Sequence, residues 1–148
     1  MPSSSLSACL LGVNSRYDGN NNFNQKLYEL FKNALLYPVC PEIMGGLKTP
    51  RDPCEIVSQN NEFKVINIKG ENKTEQFKRG AHNTLKIAKI LKAEGAIFME
   101  RSPSCGVYNI YDGSFNKKLI KGEGVTSGLL KENGFKLFTI KDLDKISV

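Results

Sequence analysis

The sequence of 148 residues lacks the features that mark membrane-spanning and exported proteins. No apolar run approaches the ~20 residues that a helix needs to cross a bilayer. The short apolar stretch near the start has no basic residues before it and is followed at once by Arg16 and Asp18, which does not match a secretory signal peptide. We therefore expect a cytoplasmic protein without a membrane partner.

Motifs for zinc, dinucleotides and phosphates are also missing. No C-x-x-C pair occurs, which disfavours a zinc ribbon or a thioredoxin-like site. The single histidine, His82, falls within a long predicted helix, where a structural or surface role is expected rather than metal ligation. The glycine-rich segments match neither the G-x-x-x-x-G-K-[ST] phosphate loop nor a G-x-G-x-x-G motif next to a strand. A histidine-based metal site or a standard phosphate loop is therefore not indicated.

The composition is that of an ordinary globular chain, with 40% hydrophobic and 24% charged residues, and the length predicts one domain over residues 1–148. The formal net charge of +6 has two interpretations. In the first, the charge comes from solvated lysines on helix faces and has no binding role. In the second, it attracts an anionic ligand or RNA. Because no familiar RNA-binding motif accompanies the charge, the first interpretation is preferred and a nucleic-acid partner is not favoured.

Hydrophobic periodicity and turn residues divide the chain into strands that alternate with helices. Asn24, Thr74 and Thr126 are predicted to cap helices, and Pro41 is predicted to end a strand. This alternation favours an α/β fold with a mostly parallel sheet and a small hairpin excursion. The predicted strands cover 5–13, 38–43, 54–59, 63–70, 96–100 and 136–140, the predicted helices cover 24–37, 75–95 and 125–134, the hairpin excursion covers 108–124, and a closing turn covers 141–146.

Three of the four cysteines follow predicted strands. Cys9 lies at the end of the first, Cys40 at the end of the strand after the first helix, and Cys105 just past the strand after the long helix. Ligands of parallel α/β sheets gather beyond the carboxyl ends of the strands, so we expect these three thiols to meet at one edge. Cys54 has no loop chemistry around it and is interpreted as a small buried hydrophobic residue.

Three thiols without histidine suit an iron–sulfur cluster or Cu(I). A [4Fe–4S] cluster normally has four cysteine ligands, so three would leave one iron open as a Lewis acid. Glu42, two residues after Cys40, is a candidate general base, and a solvated loop carboxylate is the alternative. Ser102 and Ser104 precede Cys105 and either hydrogen-bond a ligand or satisfy backbone groups of the turn.

An ordered set of short motifs extends this interpretation. Together they resemble the small bacterial family of 2-thiouracil desulfidases, and the resemblance covers about residues 5–138. The motifs that carry it are "SACLLGVNSRYDG", "PVCPEIMGGLKTPR", "RGAHNTLKIAK", "ERSPSCG", "IYDGSF" and "GEGVTSGLL".

The resemblance implies a Rossmann-like three-layer domain that holds a [4Fe–4S] cluster on Cys9, Cys40 and Cys105. It also implies Glu42 and Ser102 as catalytic residues, and Ser104 is then expected to contact the substrate. The expected reaction is a non-redox desulfuration of a thiolated pyrimidine such as 2-thiouracil to uracil and hydrosulfide. The open iron binds the substrate sulfur and Glu42 deprotonates the attacking water. The expected partner is a small thiolated base.

Two other hypotheses stay open at this point. A non-enzymatic iron–sulfur or sulfide-carrying module would need the same thiols but would have no use for Glu42. A nucleotide-binding domain with structural cysteines would bind no iron. The chain also departs from the family pattern, since many relatives have a cysteine where Ser15 stands, and Cys54 could then serve as a replacement ligand.

Overall fold

The computed structural model describes the backbone of residues 3–146 and the side chains of residues 10–146 except that of residue 59. Its strands are β1 (Ser3–Ser7), β2 (Leu35–Val39), β3 (Cys54–Gln59), β4 (Glu62–Asn67), β5 (Gly95–Ile97), β6 (Asn109–Tyr111), β7 (Leu119–Lys121) and β8 (Lys136–Phe138). Its α-helices are α1 (Gln25–Phe31), α2 (Pro41–Met44), α3 (Thr74–Ile90) and α4 (Val125–Glu132), and 3₁₀ turns cover Ala8–Leu11 and Ile140–Lys145.

The central sheet has four strands in the order β2-β1-β5-β8, and every neighbouring pair is parallel. In its register, Ser7 lies opposite Val39 and Leu6 lies opposite Ile97. Two antiparallel hairpins, β3-β4 and β6-β7, form separate small sheets. The carboxyl ends of β2, β1 and β5 therefore lie side by side at one edge of the central sheet.

The predicted α/β fold is confirmed as a mixed α/β architecture with small sheets. Both predicted hairpins are present among the described residues. Because two of the three sheets there are antiparallel, the Rossmann-like three-layer form with a mostly parallel sheet stays a prediction. No helix within residues 3–146 is long and apolar enough to span a bilayer.

Both faces of the central sheet are covered by hydrophobic side chains. Ala96 and Leu137 face a cluster formed with α3 and α4, while Ile97 and Phe138 face a cluster formed with α1 and the 3₁₀ turn at Ile140–Lys145. This alternation follows from the strand geometry, which points successive side chains to opposite faces. Full burial of a side chain such as Ile97 contributes roughly 1.5–3 kcal/mol, so the two clusters hold the sheet edge in place.

The first strand is shorter than predicted and does not include Cys9. The predicted strand over 5–13 ends at Ser7, and Cys9 lies in the 3₁₀ turn that follows. The prediction that Pro41 ends a strand was wrong, because Pro41 is the first residue of α2. Proline is favoured at the first helical position, because its missing N–H has no partner there in any case. Cys40 is thus the N-cap residue of α2.

Two predicted helix caps were also wrong. Thr74 is the first residue of α3, and its hydroxyl donates to Asn72 and accepts the N–H of Val65. Thr126 lies within α4, where Gly124 is the N-cap residue. The cap at Asn24 is confirmed, since its side chain accepts the Leu27 N–H at 2.9 Å. The hydroxyls of Thr74 and Thr126 instead bond to residues outside their own helices, which local sequence signals do not specify.

Helix α2, which carries Glu42, packs directly on α3 through two glycines. A Cβ atom on Gly80 would lie 1.8 Å from the carbonyl oxygen of Pro41, and one on Gly45 would lie 1.9 Å from that of Gln76. Such distances are impossible for real atoms, and both obstacles are backbone. The absence of side chains at these two positions therefore fixes the distance between α2 and the long helix.

Alanine at Gly80 is expected to destabilise the fold by about 2–3 kcal/mol, since the two backbones must separate. Gly128, inside α4, is the matched control because nothing lies within 4 Å of a Cβ placed there. Gly128→Ala should stabilise by about 0.5–1 kcal/mol through the helix preference of alanine. Urea unfolding of the two variants measures both changes, and equal midpoints would contradict the close approach of α2 and α3.

Candidate metal and active site

The three predicted ligand cysteines leave the same edge of the central sheet. Cys40 directly follows β2, Cys9 lies in the 3₁₀ turn after β1, and Cys105 lies in the loop after β5. These strands are adjacent and parallel, so the three segments that carry the cysteines all start from the same edge of the sheet. The side chain of Cys9 lies outside the described side chains, so the meeting of the three sulfur atoms stays a prediction.

Two of these cysteines have described side chains. Both are thiols, with Cys40 half-buried and Cys105 only 5% exposed. Cys40 donates to the Ser15 carbonyl oxygen at a sulfur–oxygen distance of 3.6 Å. Among the side chains that the structure describes, no three His, Cys, Asp or Glu residues lie together as a metal site. A complete site therefore needs a donor from outside that set, as the prediction for Cys9 requires.

Ser102 shapes the loop that carries Cys105. Its hydroxyl oxygen accepts the backbone N–H of Ser104 at 3.1 Å and that of Cys105 at 3.0 Å. Its carbonyl oxygen accepts the N–H of Gly106 at 2.8 Å. A hydroxyl has two acceptor lone pairs and one proton. Both lone pairs are used here, so the proton stays available to donate to another group.

Ser104 points away from solvent. It is 1% exposed, and its hydroxyl lies 2.8 Å from that of Thr126 on α4. Its carbonyl oxygen accepts the N–H groups of Thr126 and Ser127, which joins the cysteine loop to the start of α4. A Cβ on Gly124 would lie 2.4 Å from that same oxygen. In this structure Ser104 serves the packing of the loop, and its predicted contact with substrate stays a prediction.

Glu42 is not the solvated loop carboxylate of the alternative interpretation. It lies in the first turn of α2, and its side chain is 15% exposed. Its Oε1 accepts from Nε of Arg51 at 3.2 Å, and the Arg51 side chain is only 7% exposed. Since Pro41 alone separates Glu42 from Cys40, the carboxylate lies beside the predicted metal ligand and in a largely buried ion pair.

Comparison with known proteins assigns the chain to a family. The model of the 2-thiouracil desulfurase family matches residues 5–142. The chain belongs to the 2-thiouracil desulfurase family. This confirms the family inferred from the sequence motifs.

Two relatives of this desulfurase-family protein cover nearly its whole length. The uncharacterized protein YbbK of Bacillus subtilis (strain 168) is 38% identical over 147 residues, which are 95% of this chain and 97% of YbbK. The solved structure of the [4Fe-4S]-dependent thiouracil desulfidase TudS matches with a TM-score of 0.89 and 35% identity. That match covers 98% of this chain and 95% of the TudS chain.

The fourth cysteine of this 2-thiouracil desulfurase family member is a buried, protonated thiol. Cys54 is 8% exposed, and burial raises the pKa of its thiol to about 12, with the nearby charge of Glu42 adding to the shift. The thiol is therefore protonated at neutral pH, whereas a metal ligand is a thiolate. Its sulfur donates to the Asp52 carbonyl oxygen at 3.7 Å. These properties match the interpretation of Cys54 as a small buried residue.

Sequence reasoning missed Glu100, which organises the cysteine loop of this family member. Its Oε1 accepts the backbone N–H groups of Val107 at 2.8 Å, Tyr108 at 3.1 Å and Asn109 at 3.2 Å. The loop from Glu100 to Asn109 is thereby closed on a single carboxylate. The position of Glu100 directly before the "RSPSCG" motif was visible in the sequence, but the convergence of three donors on it was not.

Sequence reasoning also missed Arg51, although it ends the "GGLKTPR" segment of this desulfurase-family chain. A cavity of about 310 Å³ includes Arg51 and Cys54 in its wall, together with the lysines Lys48 and Lys73. Pockets of this size accept small ligands. A larger depression of about 390 Å³ lies at the β3–β4 turn, and none of the predicted site residues is among those that line it.

Proposed function

We propose that this protein desulfurates a thiolated pyrimidine of the 2-thiouracil class to uracil and hydrosulfide, with a [4Fe–4S] cluster and without net electron transfer. One observation carries the proposal: three cysteines leave one edge of a parallel sheet in a chain that matches TudS over 98% of its length. The substrate, the cofactor and the reaction come to this chain by that likeness.

The residues at the sheet edge fit such a cluster by their donor chemistry. Cys9, Cys40 and Cys105 offer sulfur donors alone, which iron–sulfur clusters prefer. The Arg51 guanidinium lies 3.9 Å from the Cys40 sulfur and supplies positive charge beside an anionic ligand. When bound on three thiolates, the cluster supplies a Lewis acid to which a soft thiocarbonyl sulfur is drawn.

Glu42 is the proposed general base. Because Arg51 holds one of its oxygens, the carboxylate has a defined orientation beside Cys40. It takes a proton from a water molecule, and the resulting hydroxide attacks the carbon that bears the sulfur. The carbon–oxygen bond forms, the carbon–sulfur bond breaks, and the electron pair leaves with the sulfur. Water and thiouracil thus give uracil and hydrosulfide without an oxidant or a reductant.

Ser102 is proposed to act on the pyrimidine during this attack. Its oxygen is held by the N–H groups of Ser104 and Cys105, which leaves its proton to donate. A donor fixed in this way can orient the ring or stabilise negative charge as it develops. The Ser102 hydroxyl and the Cys105 sulfur belong to one short loop, so the conformation of that loop sets the positions of both groups.

The scaffold is proposed to be a Rossmann-like three-layer domain over residues 1–148 that acts in the cytoplasm on a free small molecule. Support comes from the parallel central sheet, which has α3 and α4 against one face and α1 against the other. Ser104 is retained as a proposed substrate contact, and its hydroxyl lies in the same loop as the Ser102 hydroxyl and the Cys105 sulfur.

Anaerobic reconstitution tests the proposed function. The protein is loaded with iron and sulfide, its metal content and visible spectrum are measured, and 2-thiouracil is added without a reductant. The expected result is about four irons per chain, a spectral change on adding substrate, and equal amounts of uracil and sulfide as products. Protein that binds no iron, or that needs an electron donor for every turnover, would contradict the proposal.

A further inference from the structure

The Arg51 side chain joins three groups at the sheet edge: Cys40 and Glu42, which are two residues apart, and Ser15, which is 36 positions from Arg51. Its Nε donates to Glu42 Oε1 at 3.2 Å, and its Nη2 donates to the Ser15 carbonyl oxygen at 2.9 Å. The same Nη2 lies 3.9 Å from the Cys40 sulfur. With 7% of the side chain exposed, this guanidinium is almost fully removed from water.

The backbone around Arg51 holds the guanidinium in this position. The Arg51 N–H donates to the Tyr17 carbonyl oxygen at 2.7 Å, which ties the residue to the loop after β1. Its Nη1 donates to the Lys48 carbonyl oxygen at 3.2 Å and to the Thr49 hydroxyl at 3.0 Å. All three nitrogens of the guanidinium therefore donate hydrogen bonds, which leaves the side chain little freedom to rotate.

We propose that Arg51 is a positioning residue for the reaction, which holds the Glu42 carboxylate and the Cys40 sulfur in one fixed arrangement. This inference rests on the proposed function, because it gives Glu42 the role of base and Cys40 the role of cluster ligand. A planar guanidinium with five donors can satisfy a carboxylate, a carbonyl and a sulfur at once, whereas a lysine ammonium cannot span them.

The contact with Cys40 has a consequence for the cluster itself. Hydrogen bonds and positive charge at a ligand sulfur favour the reduced, more negative state of an iron–sulfur centre. Arg51 is thus expected to raise the cluster reduction potential and to slow loss of iron to a chelator. Neither effect depends on turnover, so both can be measured on loaded protein without substrate.

A purely structural role for Arg51 is the competing explanation, and Arg79 provides the matched control. Arg79 donates to the Gly45 carbonyl oxygen at 3.2 Å, at the other end of the short helix α2. The described contacts of Arg79 include neither Glu42 nor Cys40. Its loss should therefore remove a contact at the far end of α2 while the orientation of the base and the charge beside the sulfur stay as they are.

The experiment compares reconstituted wild type with Arg51→Met, Arg51→Lys and Arg79→Met. For Arg51→Met we expect kcat to fall by roughly 10–100-fold, the effect typical of removing a residue that hydrogen-bonds to a metal ligand. We expect KM to change less, the reduction potential to fall and iron loss to quicken. Arg51→Lys should recover part of the potential but not kcat, because it keeps the charge and loses the fork. Arg79→Met should match wild type in all of these.

The outcomes separate this inference from the proposed function. Wild-type protein without iron and without desulfuration would overturn the proposed function and with it the role of Arg51. Active wild type together with an Arg51→Met variant of unchanged kcat and potential would overturn the role of Arg51 alone. Equal losses in Arg51→Met and Arg79→Met, accompanied by equal drops in melting temperature, would assign Arg51 to structure and also overturn the inference.

Discussion

Cys105→Ala is expected to remove the iron–sulfur cluster and reduce desulfuration to background. Cys105 is 5% exposed, and its backbone N–H is held by Ser102 in a tight loop. The loss of activity should exceed the roughly 10–100-fold that follows removal of a group behind a metal ligand, because a direct ligand is lost.

Cys54→Ala is the matched control for this variant. It also removes one buried sulfur atom, since Cys54 is 8% exposed. Like Cys105, Cys54 belongs to a hydrophobic cluster. As cluster-free proteins, both variants should lose similar stability, about 1 kcal/mol or slightly more for a buried group of this size. Iron content, visible spectrum and turnover distinguish them. Full iron binding by Cys105→Ala, or loss of iron from Cys54→Ala, would refute the ligand assignment.

Glu42→Gln is expected to keep the cluster and its brown colour while kcat falls by about 10²–10⁴-fold, the range typical of a lost general base. Glutamine has the same shape, and its amide oxygen can still accept from Arg51 Nε. The variant therefore removes the basic oxygen without releasing the guanidinium. The Glu42 side chain is 15% exposed, so the carboxylate is mostly buried but keeps some contact with solvent.

The measurement is single-turnover release of sulfide, alongside iron content and melting temperature. Glu29→Gln, in an exposed ion pair with Lys32, is the control and should behave as wild type. A Glu42→Gln protein that turns over normally would reject the base assignment. Iron binding without any turnover in the wild-type protein as well would instead favour the non-enzymatic cluster or sulfide carrier, which has no use for Glu42.

Local patterns in the sequence predicted several elements correctly. The antiparallel pairing of Cys54–Gln59 with Glu62–Asn67, turning at Asn60 and Asn61, follows from β-branched residues on both sides of two residues that tolerate positive φ. The Asn24 cap and the helix at Val125–Glu132 follow from equally local signals. These features were predictable because the residues that specify them are close together in the chain.

Other elements could not be predicted from neighbouring residues. Leu35 continued the apolar periodicity of the first helix, yet it begins β2, where it pairs in parallel with Ser3. Thr126 had the appearance of a helix cap, but its hydroxyl bonds to Ser104 across 22 positions of the chain. In both cases tertiary contacts outweighed modest local preferences.

The sequence by itself determined which groups are available and in what order: three cysteines after strands, a glutamate just after one of them, and a serine just before another. It also identified the family through the ordered motifs, and the family model then matched residues 5–142. Only the tertiary structure decided the strand order, in which β2, β1 and β5 are direct neighbours. It alone placed Arg51 against Ser15, which is 36 positions away, and against Cys40 and Glu42. The physical reason is that a buried cation takes whichever acceptors the packed chain brings to it, and sequence periodicity carries no record of such distant contacts.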